Sequence, residues 1–315
     1  MKNPVVTLLF AACIIVYLFG MQLTLMDIDA AQYASISREM LTNGNFLHLF
    51  DNGADYLDKP PMLFWLSALS MKIFGINHFA YRIPSFFFAL LAVYSTYRLA
   101  LLFYLKEVAI FAALILASCQ AMFLIMHDVR TDTVLMGWVI CSIWQIAEWN
   151  ENKKFSAFIF GCVAIAGGMM TKGPIALIVP IAAFAPHWIL RREWKAFIKW
   201  EYLLGIAIIA VLLVPMSIGL YQQFDLHPEK VVNGKTGVSG LSFFYWTQSF
   251  GRITGESTWK EYGYFSFLMQ NMLWSFLPWI IFFLIALVLN VQQLFRQKGR
   301  LSKNQEWIST GGFIV

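Results

Sequence analysis

Several short segments of this chain carry residue types suited to chemistry on a phosphate or a hydroxyl. Asp27-Ile28-Asp29 places two carboxylates two residues apart, so an extended backbone would aim both at one site. The competing reading is capping, since acidic side chains at a helix start are favoured by the macrodipole and cost little at a span end. In Tyr56-Leu57-Asp58-Lys59-Pro60-Pro61, two prolines pre-set the backbone and fix the direction of an ammonium beside a carboxylate. Such an ammonium suits a phosphate as a point charge, although a lysine that merely snorkels to the headgroups has the same sequence signature. His127-Asp128-Val129-Arg130-Thr131-Asp132 crowds polar groups into one short connection, and an early start of the next helix would put Asp128 and Asp132 on one face. Charge embedded at a membrane generally has a purpose. Thr171-Lys172-Gly173-Pro174 sets a lysine just before a proline-initiated helix whose first amides would face the same anion. Arg252 is a guanidinium suited to clamp a phosphate, amid Tyr245, Trp246, Trp259 and Tyr262, which an interfacial aromatic belt would supply in any case. Asn233-Gly234-Lys235-Thr236 looks like the tail of a Walker loop, but the required earlier glycine is Glu229 and no strand precedes it.

The elements that must position these residues are membrane helices. Hydrophobic residues make up 59% of the 315 residues and charged residues 13%, with a mean hydropathy of +0.63, a balance that excludes a soluble domain with a polar surface. The formal charge of +5 resides in Lys and Arg clusters between apolar runs, where it sets orientation, so no nucleic-acid partner is expected. Cys13, Cys119, Cys141 and Cys162 all lie in apolar runs without CxxC spacing and read as core residues. Apolar runs predict about eight spans, at 4–26, 80–104, 108–126, 133–148, 155–170, 174–190, 201–221 and 265–291. Lys106, Lys153-Lys154, the basic run 191–199 and the run 296–300 fall on every second connection, which makes the N-terminus cytoplasmic. The first external loop is then 27–79 and the second large one 222–264, and the external segments hold roughly two thirds of the carboxylates. Within the first loop, 31–41 and 61–74 have the pattern of helices lying along the membrane surface. An apolar run begins again at 311–315, which reads as a longer protein cut short.

Taken in order, these motifs resemble the membrane glycosyltransferases of the GT-C fold, and within them the aminoarabinose transferase and protein mannosyltransferase group. The resemblance runs through Asp27-Ile28-Asp29-Ala30-Ala31-Gln32-Tyr33 and Arg38-Glu39-Met40, then Asp58-Lys59-Pro60-Pro61-Met62-Leu63-Phe64-Trp65-Leu66 and Phe74-Gly75-Ile76-Asn77. It continues through Arg82-Ile83-Pro84-Ser85, Arg130-Thr131-Asp132 and Thr171-Lys172-Gly173-Pro174, with a weaker match onward to Pro278-Trp279. It implies an all-α polytopic membrane protein of the GT-C type, with juxtamembrane helices in its first external loop. It also implies transfer of an aminoarabinose- or mannose-like sugar from a polyprenyl-phosphate carrier to lipid A, another glycolipid or a protein at the periplasmic face of the inner membrane. Asp29 occupies the position of the family's catalytic carboxylate. Ala30 stands where the family usually has Glu, and Asp58 replaces the commoner Glu before Lys-Pro-Pro. The aminoarabinose transferases place a metal-ligating histidine in the later loop, and 247–252 contains none. A divalent cation at Asp29, Asp58 and Asp132 would meet only oxygen ligands, which favours magnesium or manganese over zinc.

A sugar on a lipid phosphate carries its own leaving group, so the chemistry needs cations for the departing phosphate and a base for the acceptor hydroxyl. Lys59, Lys172 and Arg252 are the expected phosphate-binding cations. Asp29, with Asp27 beside it, is the expected base, and Tyr33, Asp58, Asp128, Arg130 and Asp132 are the expected supporting or acceptor-side groups. A lipid-linked sugar transporter would place its charges in mid-helix, whereas here they stand at span ends. An O-antigen ligase or polymerase, handling the same kind of donor, is the nearest alternative.

Overall fold

The computed structural model describes residues 4–25, 27–254 and 265–296. The first apolar run forms α1 (Pro4–Gly20) and stops short of the expected 4–26. The reason is Arg82, 1% exposed, whose guanidinium donates to the carbonyls of Met21, Leu23 and Thr24 and, from the other side, to that of His127. Carbonyls drawn to a planar fork of donors are lost to the helix, and the chain turns out towards Asp27. The surface helices follow as expected: α2 (Ile28–Asn43), a hairpin of β1 (Phe50–Asp51) and β2 (Ala54–Asp55), and α3 (Met62–Phe74).

α4 (His78–Phe103) opens on Asn77, whose side chain accepts from the Ala80 amide at 2.8 Å. Pro84 lies within this helix and cannot donate to the carbonyl of Ala80. Ser70 of α3 donates to that carbonyl instead, at 2.6 Å, which fastens the surface helix to the span.

The expected 108–126 span is two helices, α5 (Lys106–Ser118) and α6 (Gln120–His127), bent by 46° at the extended residue Cys119. The break is satisfied from outside, because the Gln120 amide donates to Leu277 and Trp279 Nε1 donates to Ser118 Oγ. α7 (Thr131–Asn152), α8 (Phe155–Lys172) and α9 (Ile175–Arg191) follow. α7 packs against α4 and α8, and Gly137 admits the close approach to α4, since a Cβ there would lie 2.7 Å from the Phe88 carbonyl.

α10 (Glu201–Leu220) is continued by a π-helical turn, Tyr221–Asp225. A second hairpin then pairs β3 (Val231–Val232) with β4 (Lys235–Thr236). Asn233 and Gly234 form its tip with φ of 53° and 75°, so the Walker-like segment is an Asn-Gly turn. The helical turns α11 (Gly240–Ser242) and α12 (Phe250–Thr254) complete the described part of the second loop. The expected 265–291 span is also broken: α13 (Phe265–Ser275) and α14 (Ile280–Arg296) meet at a 117° bend around Pro278, which has no amide hydrogen to continue a helix.

Among the described residues, three helical stretches are long and apolar enough to cross a membrane, or up to five if each bent pair counts as one span. Leu8 and Phe19 of α1, Leu203 and Val211 of α10, and Ile281 and Phe282 of α14 stand exposed. So continuous an apolar exterior suits lipid rather than water.

The described parts of 27–79 and 222–264, the two segments expected to be external, are built into each other. Gln223 is buried and clasps Leu49, accepting from its amide at 2.9 Å and donating to its carbonyl at 2.7 Å. The same amide nitrogen reaches Asp55, which also pairs with Lys230 at 3.0 Å. Asn233 donates to the Leu57 carbonyl, which brings the second loop against the segment leading to Asp58 and Lys59.

Candidate active site

Three ion pairs gather where α2, α7 and α8 end on one face. Asp27 precedes α2 with an extended backbone and makes no side-chain capping bond. Its Oδ2 lies 2.9 Å from Nη2 of Arg130, the residue that precedes α7. Asp132, in the first turn of α7, pairs with Lys172, the last residue of α8. Each of these two charges also sits at the helix end its sign prefers. Asp58 and Lys59 pair with one another at 3.1 Å on the segment entering α3. Asp29, in the first turn of α2, is exposed and has no ion pair or side-chain hydrogen bond among the described residues.

Tyr33 connects these groups. Its ring packs edge-on against Phe64, with centroids 5.7 Å apart, and Tyr56 meets the same ring from another side at 5.9 Å. Burial first, then the charges of Asp29, Asp58 and Asp132, push the Tyr33 phenol well above its usual range, with Arg130 opposing. Burial and then Asp58 do the same to Tyr56. The charges of Asp29, Asp58, Asp132 and Arg130 thus all reach the Tyr33 phenol.

A cleft of about 380 Å³, part of it open to solvent, runs from Asp58, Lys59 and Tyr56 to Gln223, Phe244 and Gln248. Gln248 was not singled out by sequence reasoning. It is 8% exposed and donates through Nε2 to the Asp58 carbonyl. Gly173 lies against the other side of the amide: its φ of +84° favours glycine, and a Cβ there would approach Gln248 Oε1 to 3.1 Å. One side chain of the second loop thus touches both lysine-bearing segments. Arg82, whose role was also unread, fixes the turn before Asp27 and the end of α6. Arg82 stood within the Arg82-Ile83-Pro84-Ser85 motif, but nothing local marks the role of either residue, because both act through backbone carbonyls distant in sequence.

Asp128 departs from expectation. It terminates α6 in an extended conformation, and α7 begins only at Thr131, so it shares no helix face with Asp132; its charge acts on buried Arg82. Arg252 lies on α12, and its side chain falls outside the described residues. Among the described residues, no three His, Cys, Asp or Glu side chains converge as a metal site. Asp29, Asp58 and Asp132 do not come together as a ligand set, and the latter two are each engaged by a lysine.

A helical membrane body with surface helices after its first span, and charged groups collected at span ends, has the architecture of the GT-C membrane proteins. ArnT from Cupriavidus metallidurans bound to undecaprenyl phosphate superimposes with a TM-score of 0.74 at 20% identity, over 89% of this chain and 50% of that one. Its apo structure gives 0.73 at 21% identity, over 87% and 48%. Residues 58–218, just over half of the chain, match the family described as dolichyl-phosphate-mannose-protein mannosyltransferase, and the chain belongs to that family. It is 29% identical over 272 residues to the undecaprenyl phosphate-alpha-4-amino-4-deoxy-L-arabinose arabinosyl transferase of Erwinia tasmaniensis, a match that covers 84% of this chain and 46% of the relative. The chain therefore spans about half the length of the relatives it matches.

Proposed function

We propose that this protein transfers an aminoarabinose- or mannose-like sugar from a polyprenyl-phosphate carrier to lipid A, another glycolipid or a protein at the periplasmic face of the inner membrane. The observation that carries this reading is the contrast between Asp29 and its neighbours. Asp27, Asp58 and Asp132 each face a cation, while Asp29 stands exposed and unpaired among the described residues. An acceptor hydroxyl attacks the anomeric carbon, a new C–O bond forms, and the bond from that carbon to the phosphate oxygen breaks. The bond's electron pair leaves with the lipid phosphate, and the hydroxyl proton passes to Asp29. Lys59, only 14% exposed at its side chain, and Lys172 offset the charge on the phosphate in a setting where water competes poorly. Arg252 is assigned to the same group on sequence. Asp27 and Arg130 orient the start of α2, and Tyr33 supports the carboxylate face. The names of the relatives, which specify an undecaprenyl phosphate-linked aminosugar, support the donor class.

The test is transfer of labelled sugar from polyprenyl-phosphate donors to lipid and protein fractions in membranes containing the full-length protein. Asp29→Asn is expected to lower transfer by about 10²–10⁴-fold; undiminished transfer would remove Asp29 from the role of base. The orientation is tested separately with Lys235→Cys at the exposed second hairpin, which a membrane-impermeant maleimide should label from the periplasm. Labelling only after the inner membrane is opened to the reagent would reverse the assigned topology.

A further inference from the structure

A second concavity stands apart from the cleft beside Lys59. A groove of about 900 Å³, much of it open to solvent, lies on the other side of α2, between that helix, the end of α3 and the start of α4, and shares no lining residue with the cleft. Ala31, Ala34, Ser35 and Arg38 form its α2 wall, a single helical stripe at i, i+3, i+4 and i+7. Tyr33, Ile36 and Met40 bury the opposite side of the helix in the core.

The groove is amphiphilic. Arg38 and His78 are exposed at its rim, and no ion pair or hydrogen bond engages either side chain among the described residues. Leu25, Met71 and Ile76 supply apolar wall. Ile76 is itself exposed, and so are Leu69, Ile73 and Phe74 of α3, which suits a helix expected to lie at the membrane surface. A guanidinium and an imidazole above an apolar trough complement a phosphate joined to acyl chains, whereas a soluble anion would use only the rim.

We propose that this groove binds an anionic glycerophospholipid, with its headgroup phosphate at Arg38 and His78 and an acyl chain along Leu25, Met71 and Ile76. The bound lipid holds α2 from the side opposite Asp29. The site is separate from the sugar-donor cleft, and the proposal does not rest on the transferase reading.

The test uses the purified chain in detergent, with lipid retention measured by native mass spectrometry after exposure to phosphatidylglycerol or phosphatidylcholine vesicles. The wild type and Lys235→Gln, an exposed cation on the second hairpin, should retain phosphatidylglycerol in preference to phosphatidylcholine. Arg38→Gln with His78→Gln should lower that retention by about fivefold or more, on the scale of one or two interfacial cations. Ser35→Trp, which fills the groove and leaves Arg38 and His78 in place, should lower it as well and guards against misfolding of the double variant. Equal retention by all of these chains would overturn the proposal. Displacement of the lipid by millimolar inorganic phosphate would also overturn it, since the site would then be one for a soluble anion.

Discussion

Replacing Arg82 with leucine tests how the active face is held in place. The guanidinium serves the carbonyls of Met21, Leu23, Thr24 and His127. Leu23 and Thr24 are exposed and can turn to water, while Met21 is buried and His127 half-buried. Two carbonyls are therefore left without partners, at about 1–3 kcal/mol each, for an expected loss of about 2–6 kcal/mol. Arg82→Lys should fall between, because an ammonium has donors enough for one side of the fork but cannot span from Met21 to His127. The assay is unfolding of the purified chain in detergent, together with hydrogen exchange over residues 20–25, which should accelerate in the leucine variant before global unfolding does. A stability change within about 0.5 kcal/mol, the range of an ordinary surface substitution, with unchanged exchange in that segment, would refute the assignment of Arg82 as the anchor of the turn before Asp27.

Other expectations follow from single contacts. Ser70→Ala removes the donor to the Ala80 carbonyl freed by Pro84, and should cost about 0.5–1.5 kcal/mol in the same unfolding assay; Ser67→Ala, whose contact is a longer 3.4 Å, should cost less. Gly219→Ala would put a Cβ 2.3 Å from the Leu47 carbonyl, so α10 and the first loop must separate, at about 1–3 kcal/mol, and trypsin should then cut the loop faster. The raised pKa values of Tyr33 and Tyr56 give a pH dependence of definite sign. Both phenols are neutral in the folded chain above the pH at which an unfolded tyrosine ionises, so their contribution is complete below about pH 10 and is lost as pH rises beyond it. The double variant Tyr33→Phe, Tyr56→Phe should accordingly lose less stability than the wild type between pH 9 and 11, and an identical alkaline slope would contradict the burial of these phenols.

Most of the helices were legible because burial in lipid demands long apolar runs, and such runs survive in one dimension. The surface helices were legible too: α2 and α3 fall within a few residues of the expected 31–41 and 61–74, because amphipathic spacing and flanking prolines are local properties. The breaks were not. At Cys119 the helix yields to a carbonyl of Leu277 and the indole of Trp279, residues far along the chain that no window around Cys119 can include. Pro278 lacks the amide hydrogen a helix needs, yet the expected 265–291 span runs through it.

The sequence by itself determined which residues were available for chemistry: the acidic pair after the first span, the lysines before Pro60 and Pro174, and the Arg130–Asp132 connection. Residue type and spacing are covalent facts. Only the tertiary structure decided how they are paired, because a partner is chosen by the packing of helix ends. Asp27 meets Arg130, Asp132 meets Lys172 and Asp58 meets its neighbour Lys59, which leaves Asp29 without an ion pair among the described residues. The same packing placed Gln248 between Asp58 and Gly173, and opened the groove behind α2, where Arg38 and His78, 40 residues apart in the chain, share one rim.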